Sequence, residues 1–395
     1  MPGIKLAKKL GLNVVVSDSN PDAPGFKYAD YKIIASTYDI NSTLSAALDF
    51  ERSVTKINGV ICIASDVPLT VATVANKLNL PSISIDSATL ATNKLLMKKQ
   101  FQSDGVSIPW FSSVNSYQHL YDLFKSRKDL LILKPVDSRG SRGVVRLLNE
   151  EDLRWAYENS IQHSPTRQVM VESFIQGPQV STESLIIDGK AYTPGFSDRN
   201  YEFLEKYSPH MIENGGQLPS ILDDKTKNMV CELVQKAAHS MGIRNGVVKG
   251  DIVINNDKPY VIELAARLSG GYFCTHEIPL NTGVDLVGAA IRQSLGEEIN
   301  PIELKPKFNR PVAQRYMFPS PGKVTSIFFP KWIDDDPNIF FFEVRINTND
   351  IVQPILSHPA RAGVVITTGA KISEAVEKAE NVISSVEINT ESYGV

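Results

Sequence analysis

The stretch VVKGDIVINNDKPYVIELAARLSGG, residues 247–271, restricts this chain more than any other. Two apolar runs with alternating polar positions flank a short polar turn, the pattern of an antiparallel hairpin. Lys249, Asp251 and Val253 share one face of the first strand; Val261, Glu263 and Ala265 share one face of the second. With the turn centred on Asp257, Asp251 stands directly opposite Glu263. Two carboxylates so placed repel by about 0.2–1 kcal/mol on an exposed sheet. A divalent cation between them reverses the sign. Hard oxygen ligands suit magnesium, which takes one or two carboxylates and completes its shell with water and phosphate oxygens. A slip of one residue would separate the acids, and a solvated hairpin face is the competing description.

A second stretch, LILKPVDSRGSRGVVRL, interrupts two strands with a pliable cationic loop. One strand ends on Lys134; the next resumes at Val144 and Val145. Between them Gly140 and Gly143 let backbone N–H groups approach an anion, and Ser138, Arg139, Ser141 and Arg142 add donors suited to phosphate oxygens. The GxxxxGK[ST] phosphate loop is absent. A flexible hairpin loop with solvated arginines is the plainer alternative.

VMVESFIQGPQVSTES follows, with Glu172 at a strand end, then Phe174, Ile175 and the Gly177-Pro178 turn. An apolar segment with exposed backbone polar groups can form a slot for a flat heterocycle; an edge strand turning at Gly-Pro is the alternative. Arg267, four residues after Glu263 and followed by Ser269-Gly270-Gly271, suits a carboxylate or a developing acyl phosphate, unless it merely pairs with an acid. The six histidines offer no nucleophile-and-base arrangement.

The 395 residues imply two to four domains. Residues 4–10 read as a helix, 12–18 and YKIIAS as strands, 40–57 as a helix with Asn41 and Ser42 as candidate caps, 59–66 as a strand, and Pro68 as the opening of another helix. This alternation predicts a doubly wound parallel sheet. From residue 94 a helix leads into strands near 131–134, 144–148 and 168–174, a hairpin turning at Asp188-Gly189, an irregular stretch at 195–220, a helix at 223–241 and the acidic hairpin. The part from 306 reads as strands plus one helix, a small α/β cap. A net charge of −3 excludes a broad cationic surface for nucleic acid. Three scattered cysteines argue a reduced, cytoplasmic chain, and no zinc spacing is present. The start lacks the pattern of a signal peptide, and no apolar run approaches the ~18 residues of a membrane span.

Taken in order, a preceding α/β region, a lysine on the linking helix, a strand-end lysine, a glycine loop, VE-x-F-I-x-G, and an acid with E-x-x-x-R on a hairpin, the pieces resemble the ATP-grasp superfamily. The layout is similar to carbamoyl-phosphate synthase halves, amino-acid ligases and phosphoribosylglycinamide synthetases. The resemblance implies three domains: a Rossmann-like first domain over 1–93, a two-lobed ATP-grasp domain over 94–305, and a small C-terminal domain over 306–395. It implies that Lys94 and Lys134 hold ATP phosphates and that Ser138, Arg139, Gly140, Ser141 and Gly143 close over them. Glu172, Phe174 and Ile175 would sit at the adenine, Gln179 at the ribose, and Glu183 toward the same cleft. Asp251 and Glu263 would bind Mg2+, or Mn2+; Arg267, with Lys134, would serve catalysis.

Three departures stand out. Gln179 replaces a frequent glutamate, Ala265 replaces a frequent metal-site asparagine, as in ligase-type members, and the chain opens on a helix where such domains open on a strand and glycine turn. The last could weaken or redirect acceptor binding. The implied activity is ADP-forming joining of a carboxylate to an amine, with small-molecule acid and amine substrates and a homodimer as assembly. The segment 196–220 supplies Arg199, Tyr201, His210 and Glu213 for an acid larger than bicarbonate. A bicarbonate-using carboxylating or carbamoyl-phosphate-type enzyme, and an ATP-binding module without turnover, are the two alternatives.

Overall fold

The computed structural model describes residues 1–392. Helix Pro2–Lys9 precedes two parallel strands, Val15–Asp18 and Tyr31–Ile34, which form a sheet of their own. Helix Ile40–Ser53 starts one residue before the expected caps. Asp39, in extended conformation, accepts from the Ser42 amide, so the aspartate and not Asn41 or Ser42 closes the first turn. Pro68 opens helix Pro68–Lys77, as its missing amide hydrogen allows. The strand expected at 59–66 does not form; this segment makes no ladder, and the parallel sheet stops at two strands.

Helix Lys94–Ser103 is capped by Asn93, whose side-chain oxygen accepts from the amides of Leu95 and Leu96 at 3.1 and 3.0 Å. The cap places Lys94 at the first helical position. An antiparallel four-stranded sheet follows, in the order Phe111–Val114, Val169–Ser173, Leu131–Pro135 and Val145–Leu147. Helices Tyr117–Ser126 and Leu153–Gln162 supply Leu120 and Leu153 to its core beside Leu131 and Leu133. Each such leucine, once buried, contributes about 1.5–3 kcal/mol. Strand Leu131–Pro135 is buried along its whole length, so Lys134 must find a buried partner.

The larger sheet has eight antiparallel strands, ordered Lys258–Ala265, Gly246–Asn255, Gln179–Ile187, Lys190–Arg199, Gly216–Leu218, Val312–Met317, Gly363–Thr368 and Ile339–Val344. Its first hairpin turns at Asp188-Gly189 and its second at Asn256-Asp257, all four residues at positive φ, which matches the twist of paired strands. Helix Asp224–Ser240 packs Val230, Val234 and Ala237 against Val180, Ile186 and Val248 of the sheet. A second core gathers Leu185, Leu218 and Val312 with Leu286 and Val287 of helix Leu286–Ser294. Residues beyond 306 thus extend the central sheet by three strands. They add a three-stranded sheet, Ile351–Val352, Gly322–Phe328 and Glu387–Glu391, and helix Ile372–Ser385. Among the described residues no helix is long and apolar enough to cross a membrane.

Candidate active site

The cationic loop lies between the four-stranded sheet and the neighbours that hold it. Gly140, Ser141 and Gly143 take φ of 63°, 60° and 72°, a left-handed run that suits glycine at two of the three positions. A Cβ on Gly143 would stand 2.8 Å from the Cβ of His163. The Ser160 hydroxyl donates to the Gly143 carbonyl at 2.6 Å, anchoring the loop's base. Its tip touches both the N-terminal region and the part of the chain beyond residue 306. The Arg139 guanidinium stacks 3.7 Å from the Tyr38 ring centroid, and the His358 amide donates to the Gly140 carbonyl at 3.2 Å. Ser141 Oγ lies 3.3 Å from His358 Nε2, which also contacts the Met211 carbonyl at 3.1 Å. Arg142 is exposed.

Lys94 joins this loop to the acidic hairpin. Its ammonium donates to the Ser138 carbonyl at 2.7 Å and stands 3.3 Å from Glu263 Oε1. Lys134 instead pairs with Glu172, its diagonal neighbour across the ladder. The fully buried Lys98 stands 3.3 Å from the other Glu172 oxygen and donates to the Val261 carbonyl at 2.9 Å. Burial works to raise the Glu172 pKa, but the charges of Lys134 and Lys98 outweigh it and hold the carboxyl below its usual range. Burial lowers Lys98 to about 8 against the pull of Glu172. Glu172, expected at an adenine, is therefore a carboxylate already shared by two lysines. Phe174 and Ile175 follow it half-buried, and the Phe174 amide donates to the Leu130 carbonyl at 2.7 Å. Gln179 opens its strand opposite Val253.

On the hairpin, Asp251 is register partner of Glu263. The two-residue turn pairs Asn255 with Lys258 and Ile252 with Val261, which alone would set Asp251 against Ile262. A bulge leaves Ile262 unpaired and moves Glu263 into place. Lys249 pairs with Asp251, and Ser181 Oγ donates to Asp251 Oδ1 at 2.8 Å. Burial tends to raise the Asp251 pKa, but the charge and hydrogen bond of Lys249, the Ser181 hydroxyl and the Arg199 charge together hold it below its ordinary value. Each acid thus has a lysine ammonium beside it, Lys249 or Lys94, where a cation would stand. Among the described residues no group of three or more histidine, cysteine or acidic side chains converges on a metal position. A carboxylate pair without a third ligand suits magnesium, which fills its shell with water and phosphate. Glu183 pairs in register with Lys249 but is fully buried and accepts from the Ser269 amide and, at 2.8 Å, from the Ser269 hydroxyl. Burial pushes it up to about 7 despite those bonds.

Arg267 meets an acid, as the plainer reading of its spacing allowed. Its Nε donates to Asp66 Oδ1 at 3.1 Å and its Nη1 to the Leu268 carbonyl at 3.2 Å. Arg199 pairs with Glu213, and Arg361 donates to the Glu213 carbonyl at 2.5 Å while stacking 3.9 Å over Tyr316. Burial opposes ionisation of Glu213, yet Arg199 and Arg361 hold it down to about 2. His210 stands apart from these, edge-on to Trp155 at 5.9 Å and bridged to Val145. Glu277 is fully buried with neither carboxylate oxygen hydrogen-bonded, and burial pushes it up to about 8.

Sequence reasoning missed Lys98, Asp66, Glu277, His358 and Arg361. A signal existed for Lys98, one helical turn after Lys94 and hence on the same face. Nothing local distinguished the other four, which reach the site only through tertiary contacts.

Residues 91–271 match the ATP-grasp domain family, and residues 315–391 match the L-amino acid ligase C-terminal domain 2 family. An uncharacterized protein of Sinorhizobium fredii is 25% identical over 277 residues, covering 69% of this chain and 52% of that protein. A D-alanine–D-alanine ligase of Desulforamulus reducens is 26% identical over 193 residues, 45% of this chain and 59% of the ligase. The chain thus spans between about half and three fifths of these curated relatives. The crystal structure of an L-amino acid ligase from Bacillus licheniformis superposes with a TM-score of 0.84 at 20% identity, covering 99% of this chain and 95% of that one. With a glycine loop, a lysine linking it to paired acids, and a family match that spans both, residues 91–271 of this chain form an ATP-grasp domain.

Proposed function

We propose that this chain is an ADP-forming ligase that activates a carboxylic acid as its acyl phosphate and joins it to an amine. The observation that carries this reading is the Lys94 ammonium, which touches the loop at Ser138 and the acid at Glu263. It draws the phosphate-type and metal-type groups to one place.

Asp251 and Glu263 are the residues to hold Mg2+, with Mn2+ an equal fit to the donor set. That ion supplies charge neutralisation along the ATP triphosphate. Lys94 and Lys134 hold phosphate oxygens, and residues 138–143 exclude water above them. Phe174, Ile175 and Gln179 line the nucleoside side. The carboxylate attacks the γ-phosphorus and ADP leaves; the amine then attacks the acyl carbon and phosphate leaves. Arg267 stabilises the charge on the acyl phosphate, and Arg199, held by Glu213, anchors the acid. Such chemistry is mainly positioning and charge stabilisation.

The match at 315–391 and the likeness to an L-amino acid ligase support amino acids as acid and amine. The division into 1–93, 94–305 and 306–395 is supported by the family limits at 91 and 315. A cytoplasmic homodimer completes the proposal. ADP release should require both an acid and an amine, with a condensed product of matching mass. ADP release supported by labelled bicarbonate alone would select the carboxylating alternative, and nucleotide binding without turnover on any acid would select the module.

A further inference from the structure

The segment 59–66 makes no strand, yet it follows a closely determined course. A Cβ on Gly59 would stand 2.9 Å from the Ser294 carbonyl oxygen, so the two backbones nearly touch. Further along, Ile63 closes over Gly3, and the Ala64 Cβ lies 3.7 Å from the position a Cβ on Gly270 would occupy. Pro68 then starts a helix. Pinned at three points and stopped by a helix, the segment delivers its last residue, Asp66, to the end of the acidic hairpin.

There Asp66 takes the Nε of Arg267 at 3.1 Å, and the Leu268 carbonyl takes Nη1 at 3.2 Å. Side-chain exposures of 17% and 18% leave little solvent to screen the pair. Two of the three guanidinium nitrogens are thus spent on holding the plane. Nη2 makes no hydrogen bond among the described residues. A guanidinium fixed through Nε and Nη1 presents its remaining edge in one orientation, which is what a planar donor needs to meet phosphate oxygens.

We propose that Asp66 is a positioning residue: it acts from the N-terminal segment, through Arg267, to aim the free edge of the guanidinium at the acyl phosphate. The inference rests on the ligase reading above. It makes the seat of residues 59–66 a determinant of turnover and not of nucleotide affinity.

The test uses the full chain with Mg-ATP and an equimolar mixture of proteinogenic L-amino acids, following ADP release, with Mg-ADP affinity measured by titration calorimetry. Asp66→Ala lowers kcat at least tenfold, leaves Mg-ADP affinity within twofold, and is partly rescued by Asp66→Glu. In an Arg267→Lys background the same change costs less than twofold, because the group it aims is gone. If Asp66→Ala loses its cooperative thermal transition, the isosteric Asp66→Asn carries the comparison. Equal losses in both backgrounds, wild-type kcat, or a changed Mg-ADP affinity would overturn the inference alone. A wild-type chain that binds Mg-ADP but releases no ADP with any acid overturns the ligase reading and this inference together.

Discussion

Asp251 faces Glu263 across the hairpin because Ile262 drops out of the ladder between them. The turn at Asn256-Asp257 sets a register one residue away from this pairing, and the bulge corrects it. Both acids consequently lie beside the lysines that accompany them, Lys249 and Lys94.

Glu263→Gln replaces one of the two paired carboxyl side chains with an amide while keeping side-chain shape. The expected loss in kcat is roughly hundredfold, the scale seen when one preorganised charge-stabilising group is removed. Steady-state ADP release at saturating magnesium checks it. Activity within threefold of wild type would remove Glu263 from the metal site.

Lys98→Met leaves the buried Glu172 with one lysine and deprives the Val261 carbonyl of its donor. Breaking a buried ionic contact in this way destabilises by about 3 kcal/mol. Urea unfolding gives the value directly. A change under 1 kcal/mol would mean that Lys134 alone suffices for Glu172.

Glu277 is raised by burial to about 8 from its ordinary 4.5; Arg199 opposes that shift, while Glu213 and Glu183 reinforce it. A folded-state pKa above the unfolded one contributes stability that is complete below 4.5 and is lost as pH rises through about 8. Glu277→Gln escapes that loss. Its melting temperature relative to wild type should therefore climb between pH 5 and pH 9 in scanning fluorimetry. A gap that stays constant over this range would show that Glu277 ionises normally.

The stacking of Arg139 on Tyr38 ties the loop tip to the N-terminal region. A partly exposed contact of this type contributes about 0.5–1 kcal/mol, so Arg139→Ala should speed Mg-ATP release roughly threefold. Tyr38→Ala should do the same, and the double variant no more than either alone. Stopped-flow displacement of a fluorescent nucleotide measures all three. Additive effects would assign Arg139 a direct nucleotide contact instead.

Local signals sufficed where short-range chemistry decides. Pro68 announces a helix start, Asp188-Gly189 announces a hairpin, and the apolar runs around Lys134 and Glu172 form paired strands. The glycine loop and the alternation that put Asp251 and Glu263 on matching faces were legible for the same reason, since backbone preference and side-chain periodicity act within a few residues; Lys94 was named only through the family resemblance. Tertiary structure decided the rest. The bulge at Ile262 is an irregularity that no period-two pattern encodes. Residues 59–66 carry a strand-like composition but no ladder, because strand formation depends on a partner edge and not on the segment itself. The partners of Lys134, Arg267 and Glu213 come from residues 14 to 201 positions away. Burying a charge sets a requirement for a partner, but the sequence does not say which of its acids and bases meets it; only the packed fold brings those side chains within a few ångströms of each other.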